Sequence, residues 1–237
     1  APADARFEMQ LSSGRALLGL ERAAEAVPVF EAAVAAQPDS LDALVGLASA
    51  TYQIDGLAAA KDVLGKATAN VQKQSAYWMT MGGIDTQAGD FASAEKSYLK
   101  AVDTAVGSDS GERLMALGAL AEAQMRLGKI KEANTTSERH IKAAPNNPMV
   151  KQLRGQIAAA GGKYDEARTL LEEAVAAMPD NAQARLLLGI VNVQQGNLGQ
   201  AEMHFASVVA KHPDNVQAQR LLAEVRAKVG TPQQSLQ

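Results

Sequence analysis

The feature of this sequence that most constrains its fold is an internal period of 34 residues. Pro145, Pro179 and Pro213 follow one another at that spacing, and the last two are each followed by Asp-Asn. The segment 162–167, which begins with Gly and ends with Ala, is matched 34 residues later by 196–201. A fixed period of this length is typical of proteins built from stacked helical hairpins.

Each repeated residue type predicts a local structure. Proline ends the preceding helix, and the Asp or Asn that follows can cap the next one. A glycine between two helices can adopt the left-handed conformation that ends the first. The chain has 47 alanines and only 4% aromatic residues, which favours close-packed helices over strands. Because one hairpin cannot bury its apolar face alone, the units must stack.

These residues resemble the tetratricopeptide repeat, whose pattern has Trp, Leu, Gly and Tyr on helix A, then Ala, an aromatic residue, Ala and Pro on helix B. The third unit carries the pattern most clearly, with Trp78, Gly82, Ala94, Tyr98 and Ala101. The resemblance implies an all-α fold, a right-handed α-solenoid superhelix of stacked helix-turn-helix repeats.

The pattern predicts a single array of six units, a terminal helix at 216–229 and a truncated next repeat at 230–237. The six units are predicted at 7–40, 41–74, 75–108, 114–147, 148–181 and 182–215. Five extra residues, 109–113, predict a longer turn between the third and fourth units. The unfinished last repeat predicts that the chain is cut from a longer array, with 216–229 as its cap.

By the same resemblance, helix A of each unit lines a concave groove. We interpret this groove, apolar with glutamine edges, as a site for an extended or helical partner peptide. Methionine is common on promiscuous binding surfaces, although the same methionines could simply fill gaps between helices. The predicted groove residues are Arg15, Tyr52, Met79, Met115, Glu122, Met125, Arg126, Met149, Gln152, Gln156, Gln183 and Gln194.

One known mode of binding is not expected. Family members that capture chaperone tails use a Lys and Asn clamp on successive A helices. The corresponding positions here hold Leu11 and Arg15, then Gly46, then Ala76 and Thr80. Capture of a terminal carboxylate by that clamp is therefore not predicted.

The sequence predicts neither catalysis nor a bound metal or cofactor. It contains no Cys, and it has only three histidines, His140, His204 and His212. The nearest carboxylate, Glu202, lies two residues from His204 and on another face of the helix. No local signature links Ser, His and Asp as a catalytic set. Trp78 stands where the family places its packing Trp, so we expect it in the core.

Charge and hydropathy limit the partners. The net charge is −3 and the basic residues are scattered, so nucleic acid is not an expected partner. No apolar run approaches the roughly 20 residues of a membrane span, so no membrane insertion is expected. The predicted partner is a protein or peptide. A homo-oligomer is the alternative, because repeat arrays can pack concave face to convex face.

The last third, 148–237, has a narrower resemblance. Its segments 185–189 (RLLLG), 195–202 (QGNLGQAE) and 213–215 (PDN) resemble the tetratricopeptide lipoproteins of the PEP-CTERM and exosortase system of exopolysaccharide-producing bacteria. That resemblance implies a periplasm-facing scaffold in exopolysaccharide or surface-protein export; without it, a cytoplasmic location is the alternative. The cysteine that anchors a lipoprotein is not in this sequence.

Overall fold

The computed structural model describes residues 3–107 and 110–230, and all regular secondary structure in these ranges is helical. A 3-10 turn at Val71–Lys73 accompanies the α-helices. The α-helices are α1 (Ala3–Gly19), α2 (Ala23–Ala36), α3 (Leu41–Leu64), α4 (Ser75–Gln87), α5 (Phe91–Thr104), α6 (Gly111–Arg126), α7 (Ile130–Ala143), α8 (Pro148–Ala160), α9 (Tyr164–Ala177), α10 (Ala182–Gln194), α11 (Leu198–Lys211) and α12 (Val216–Gly230). The predicted all-α fold of paired helices is confirmed. The predicted repeat start at 230–237 lies, beyond Gly230, outside the described residues.

The contacts divide the chain into two compact units, an N-terminal unit (Ala1–Ala123) and a C-terminal unit (Gln124–Gln237). The boundary falls within α6. In the N-terminal unit α1 packs on α2, α2 on α3, and α4 on α5. In the C-terminal unit each helix from α7 to α12 packs on the next. Each unit is thus a stack of helices that are neighbours in sequence, as a repeat array requires.

Side-chain caps begin several of the A helices. Asn181 and Asn215 each accept a hydrogen bond through Oδ1 from the backbone N–H three residues on, at 3.0 and 2.9 Å. The predicted cap therefore falls on the Asn of each Asp-Asn pair. The aspartate of the first pair has a different role: Asp180 forms an ion pair with Lys211, with 2.5 Å between Oδ1 and Nζ.

Glycines in the left-handed conformation end the A helices, as predicted. Gly89, Gly128, Gly162 and Gly196 have φ between +72° and +77°. The residue at the same repeat position in the first unit is Glu21, and its φ is +59°. An L-residue with a Cβ adopts this conformation at a cost of about 1–2 kcal/mol.

The second predicted unit departs from this turn. Asp55 stands at the repeat position of the turn glycine, and the chain instead kinks one residue later, at Gly56, whose φ of +82° and ψ of −170° are not helical. α3 thus contains both an A segment and a short B segment that stops at Leu64. The space beyond the short B segment is filled by Val71 of the 3-10 turn, which is fully buried.

The core depends on small residues where helices A and B cross. Phe30 of α2 packs so closely on α1 that a Cβ placed on Gly14 would lie 2.6 Å from its Cζ. Tyr98 meets Gly82 in the same way, at 2.5 Å. The repeated alanine of helix B is at most 2% exposed in each of the six predicted units: Ala26, Ala60, Ala94, Ala133, Ala167 and Ala201.

The extra residues before α6 are divided between the turn, where we predicted them, and the helix: α5 ends at Thr104 and α6 begins at Gly111, which leaves six residues between them where α9 and α10 have four. Gly111, Glu112 and Arg113 belong to α6, which has 16 residues where α4 has 13. Ser110 begins the helix, because its Oγ accepts a hydrogen bond from the Arg113 N–H at 3.2 Å. The insertion therefore lengthens helix A by almost one turn. Asp109 lies outside the described residues.

A buried arginine replaces a leucine in the C-terminal unit. Arg154 of α8 is 5% exposed and stands at the repeat position held by Leu120 and Leu188 in the neighbouring units. Its Nη1 donates to Ser137 Oγ at 2.9 Å, and its Nη2 donates to Glu166 Oε1 at 2.5 Å. A buried charge must be paired in this way to be tolerated.

The hydrogen bonds of Arg154 explain why the fourth predicted unit is polar at its core. The Asn134 side chain and backbone carbonyls accept from Nη1 at 2.9 and 3.1 Å, and Glu138 accepts from Nη2 at 3.4 Å. Ser137 replaces the apolar residue usual at its position because it faces a guanidinium. In this layer of the core, α8 thus supplies a buried cation, and α7 and α9 supply the polar groups that accept its hydrogen bonds.

Replacing Glu21 with Gly should stabilise the protein by about 0.5–1 kcal/mol, because the left-handed strain outweighs the greater freedom of an unfolded glycine. Chemical denaturation followed by circular dichroism measures the change. Gly196→Ala is the matched control, since a Cβ there would have nothing within 4 Å and φ is +77°. It should lose about 1 kcal/mol. A destabilised Glu21→Gly variant would contradict the strain argument.

Arg154→Leu should destabilise the protein by about 2–3 kcal/mol, because it removes hydrogen bonds from a charged group and leaves Ser137 and Asn134 without their donor. The midpoint of urea unfolding measures this loss. The double variant Arg154→Leu, Ser137→Leu should recover part of it, since it rebuilds the apolar layer of other units. If Arg154→Leu alone were as stable as the natural chain, the matched polar layer would have no energetic role.

Candidate functional site

The predicted groove residues of the N-terminal unit lie on its A helices, and most of them are exposed. Arg15, Tyr52, Met115 and Glu122 are exposed, with Met115 at 67% and Tyr52 at 44%. Met79 is half-buried and packs on the core cluster formed by α5 and α6. The gap-filling interpretation thus fits Met79, whereas Met115 is open to solvent.

A cavity of about 220 Å³ lies between α3 and α4, and we name it the α3/α4 pocket. Its eleven lining residues are all uncharged. The apolar ones are Val45, Ala48, Leu57, Ala60, Leu64 and Ile84. The polar ones are Ser49, Tyr52, Gln53, Thr80 and Gln87. Ala48, Ala60 and Leu64 are at most 3% exposed, so they close the pocket at its base.

Tyr52 and Gln87 join the two walls of the α3/α4 pocket. The Gln87 Nε2 of α4 donates to the Tyr52 hydroxyl of α3 at 3.3 Å. Both side chains are exposed, so water can replace this long bond at little net cost. The hydroxyl and the amide are therefore available to a ligand at the mouth of the pocket.

The predicted residues of the C-terminal unit are less uniform. Arg126, Met149, Gln183 and Gln194 are exposed, whereas Met125 and Gln156 are half-buried. Gln152 is 9% exposed, and its Oε1 accepts a hydrogen bond from Asn181 Nδ2 at 2.8 Å. Because Asn181 also caps α10, Gln152 has a structural partner on the next A helix.

Trp78 packs within the N-terminal unit, as its place in the repeat predicts. Its ring is half-buried against the core and lies edge-on to Tyr77, with 4.9 Å between the ring centroids. Its Nε1 donates to the Gln72 carbonyl at 2.7 Å, and Lys100 Nζ lies 3.9 Å from the ring centroid. Burial raises the pKa of the neighbouring Tyr77 hydroxyl.

The histidines are not arranged for chemistry in the described ranges, where no three His, Asp or Glu side chains are grouped to hold a metal ion. His140 is 7% exposed, and burial lowers its pKa. Burial also lowers the pKa of His204, with a smaller effect from Arg185. Both imidazoles therefore favour the neutral form when the chain is folded.

Sequence reasoning placed Tyr52 in the groove but did not foresee the α3/α4 pocket. Leu57, Ala60 and Leu64 reach it from the short B segment, which follows directly on Gly56. The sequence signal that could have indicated the pocket is a displaced glycine. In the second unit Asp55 occupies the repeat position of the turn glycine, and the glycine, Gly56, comes one position later.

None of the helices in the described ranges combines the length and apolar character that crossing a membrane requires.

The fold and its repeated small-residue contacts define a helical repeat protein. The sequence profile of the tetratricopeptide repeat matches residues 17–84 and 158–226, which is more than half of the chain. The chain belongs to the tetratricopeptide repeat family. No curated protein matches it at the sequence level.

Solved structures share the fold at low sequence identity. PilF of Pseudomonas aeruginosa superposes with a TM-score of 0.73 at 18% identity, over 94% of this chain and 100% of PilF. Part of a repeat protein from Cytophaga hutchinsonii gives 0.68 at 19% identity, over 92% of this chain and 86% of that one. YrrB, a repeat protein with an unusual peptide-binding site, gives 0.62 at 17% identity, over 81% and 96%. At these identities the likeness extends to the fold alone.

Stability should fall as the pH is lowered through the ordinary His range near pH 6.5, because buried His140 holds its proton less well than the unfolded chain does. His140→Gln should flatten this dependence between pH 7 and 5, measured by urea midpoints at each pH. The exposed His212 gives the matched control, His212→Gln. Equal pH dependence in both variants would exclude His140 as the cause.

Proposed function

We propose that this chain is a non-enzymatic scaffold that binds a partner polypeptide along the A-helix faces of its two units. The observation that carries the proposal is the α3/α4 pocket, an uncharged cavity with Tyr52, one of the predicted groove residues, in its lining. Tetratricopeptide repeat proteins are generally non-catalytic scaffolds for other proteins. The fold shared with YrrB, which has a peptide-binding site, supports the same class of function.

The exposed side chains of the A helices suit such a partner. Met115 and Met149 present flexible apolar side chains that are 67% and 54% exposed. Gln183 and Gln194 present amides that can bond to a peptide backbone. A surface of methionine and glutamine adapts to several sequences, which fits a scaffold better than an enzyme.

The N-terminal and C-terminal units each offer such residues, so the proposal does not depend on a continuous surface between them. In the N-terminal unit the side chains are Tyr52 and Met115; in the C-terminal unit they are Met149, Gln183 and Gln194. Binding to one unit can thus be tested without changing the other.

Self-association is the alternative proposal, and α12 exposes both polar and apolar side chains that bear on it. Gln217, Gln219, Arg220 and Glu224 are exposed there, and Arg220 pairs with Glu224 at 3.1 Å. Val216 and Val229 of the same helix are 74% and 51% exposed. Sedimentation at high protein concentration distinguishes the two proposals, since self-association predicts a mass that rises with concentration.

A finer proposal concerns the setting of the scaffold. The resemblance of 148–237 to the lipoproteins of the PEP-CTERM and exosortase system supports a role in exopolysaccharide or surface-protein export. It rests on short consensus segments alone. The sequence of the complete gene tests it: an upstream lipoprotein signal with its cysteine would support the proposal, and a fused cytoplasmic signalling domain would contradict it.

Met149→Glu should weaken binding of a partner peptide about tenfold or more, because a carboxylate would face the apolar part of the ligand. The ligand is a peptide selected from a random display library on the natural chain, and titration calorimetry measures its affinity. Met203→Glu is the matched control, since Met203 is also 54% exposed but lies on α11, a B helix.

For peptides that map to the N-terminal unit, Tyr52→Ala replaces Met149→Glu as the test variant. If neither A-helix variant weakened any selected peptide, while Met203→Glu did, the A-helix proposal would be wrong.

A further inference from the structure

We propose that the α3/α4 pocket holds one uncharged apolar side chain of a partner polypeptide, the size of leucine, methionine or phenylalanine, as the anchor of binding. The inference rests on the proposed function, and it names the chemistry that the N-terminal unit selects. The pocket belongs entirely to this unit, so its geometry is independent of the C-terminal unit.

The lining excludes a charged anchor. All eleven residues are uncharged, and the base is made by Ala48, Ala60 and Leu64. Moving an ammonium or a carboxylate into such a site without a partner costs several kcal/mol, whereas an apolar group gains from leaving water. The buried Asp85 and the partly exposed Lys61, which are nearby in sequence, are paired with each other at 2.5 Å and do not line the pocket.

The volume sets the size of the anchor. A closed apolar cavity of about 150 Å³ is large enough to hold benzene. The α3/α4 pocket has about 220 Å³, so a phenyl ring or a branched aliphatic group fits with room for its first methylene.

The polar groups at the mouth suit the backbone on either side of such an anchor. Gln53 and Gln87 carry amides that both donate and accept, and Tyr52 adds a hydroxyl. The 3.3 Å bond from Gln87 to Tyr52 is exposed and can be exchanged for bonds to a peptide. Apolar walls with a few placed polar groups are the usual composition of a binding pocket.

Two local features place the pocket in this unit. The chain kinks at Gly56, one residue after the position of the turn glycine in other units, and the B segment that follows ends at Leu64. Leu64 also stands where the first, third and sixth predicted units have Phe30, Tyr98 and Phe205. The second unit thus has a shorter B helix and no aromatic ring at the crossing.

The first experiment measures the binding of small molecules to the α3/α4 pocket in the absence of any peptide. The full chain, labelled at its Ile, Leu and Val methyl groups, is titrated with toluene, butylammonium or propionate, the analogues of Phe, Lys and Glu side chains. Toluene should shift the methyl resonances of Val45, Leu57 and Ile84 in a saturable way, and the two ions should not. Equal shifts with an ion, or none with toluene, would overturn the inference.

A variant that fills the α3/α4 pocket tests whether the toluene shifts arise there. Ser49→Phe places a ring at the lining and should abolish the toluene shifts, whereas Ser13→Phe, at an exposed serine of α1, should leave them unchanged. Circular dichroism verifies that both variants are helical. If Ser49→Phe does not fold, the smaller change Ser49→Leu replaces it, because it also adds apolar volume at the lining and should reduce both the toluene shifts and the affinity for the peptide.

The second experiment uses blocked twelve-residue peptides from a random library, selected on the full chain. Peptides bound by the N-terminal unit should share one Leu, Met or Phe, compete with toluene, and bind Ser49→Phe at least about tenfold more weakly. If the selected peptides bound Ser49→Phe as tightly as the natural chain, the pocket inference would be overturned and the scaffold proposal would stand. Toluene binding without any selected peptide would contradict the scaffold proposal instead.

Discussion

The close crossing of helices A and B is the contact on which the rest of the structure depends. Phe30 and Tyr98 reach so far into the facing helix that Gly14 and Gly82 have no room for a Cβ. Dense packing of this kind has little tolerance for a change in volume. It fixes the spacing of the helices and therefore which side chains of the A helices remain exposed.

Much of this fold could be predicted because its determinants are local and repeated. Turn glycines such as Gly162 and Gly196, and caps such as Asn181, act within a few residues of their own position, so the period exposes them. The repeated alanines report the crossing in the same way. Departures from the period were harder to interpret, since three of the five extra residues before α6 look like a turn in sequence but belong to the helix that Ser110 begins.

The site was less predictable, because it depends on contacts that no period reports. Tyr52 follows from its place on helix A, but the α3/α4 pocket also needs Leu57 and Leu64, which belong to the short B segment after the kink at Gly56. Gln152 illustrates a second limit of repeat position: it is a predicted groove residue, and its Oε1 also accepts a hydrogen bond from Asn181 of the next A helix. A position in a repeat thus predicts the direction of a side chain better than its availability.

The features that distinguish this protein from a regular repeat array therefore lie in its irregular repeats. These irregularities are of two kinds. In the C-terminal unit the irregularity is filled: Arg154 replaces a leucine, and Ser137 and Glu166 supply its partners, so the layer is specific to its neighbours but offers no free volume. In the N-terminal unit the irregularity at Gly56 is left open, and its uncharged cavity can take a ligand. A buried charge demands partners from the same chain, whereas an apolar cavity can gain from a partner supplied by another one.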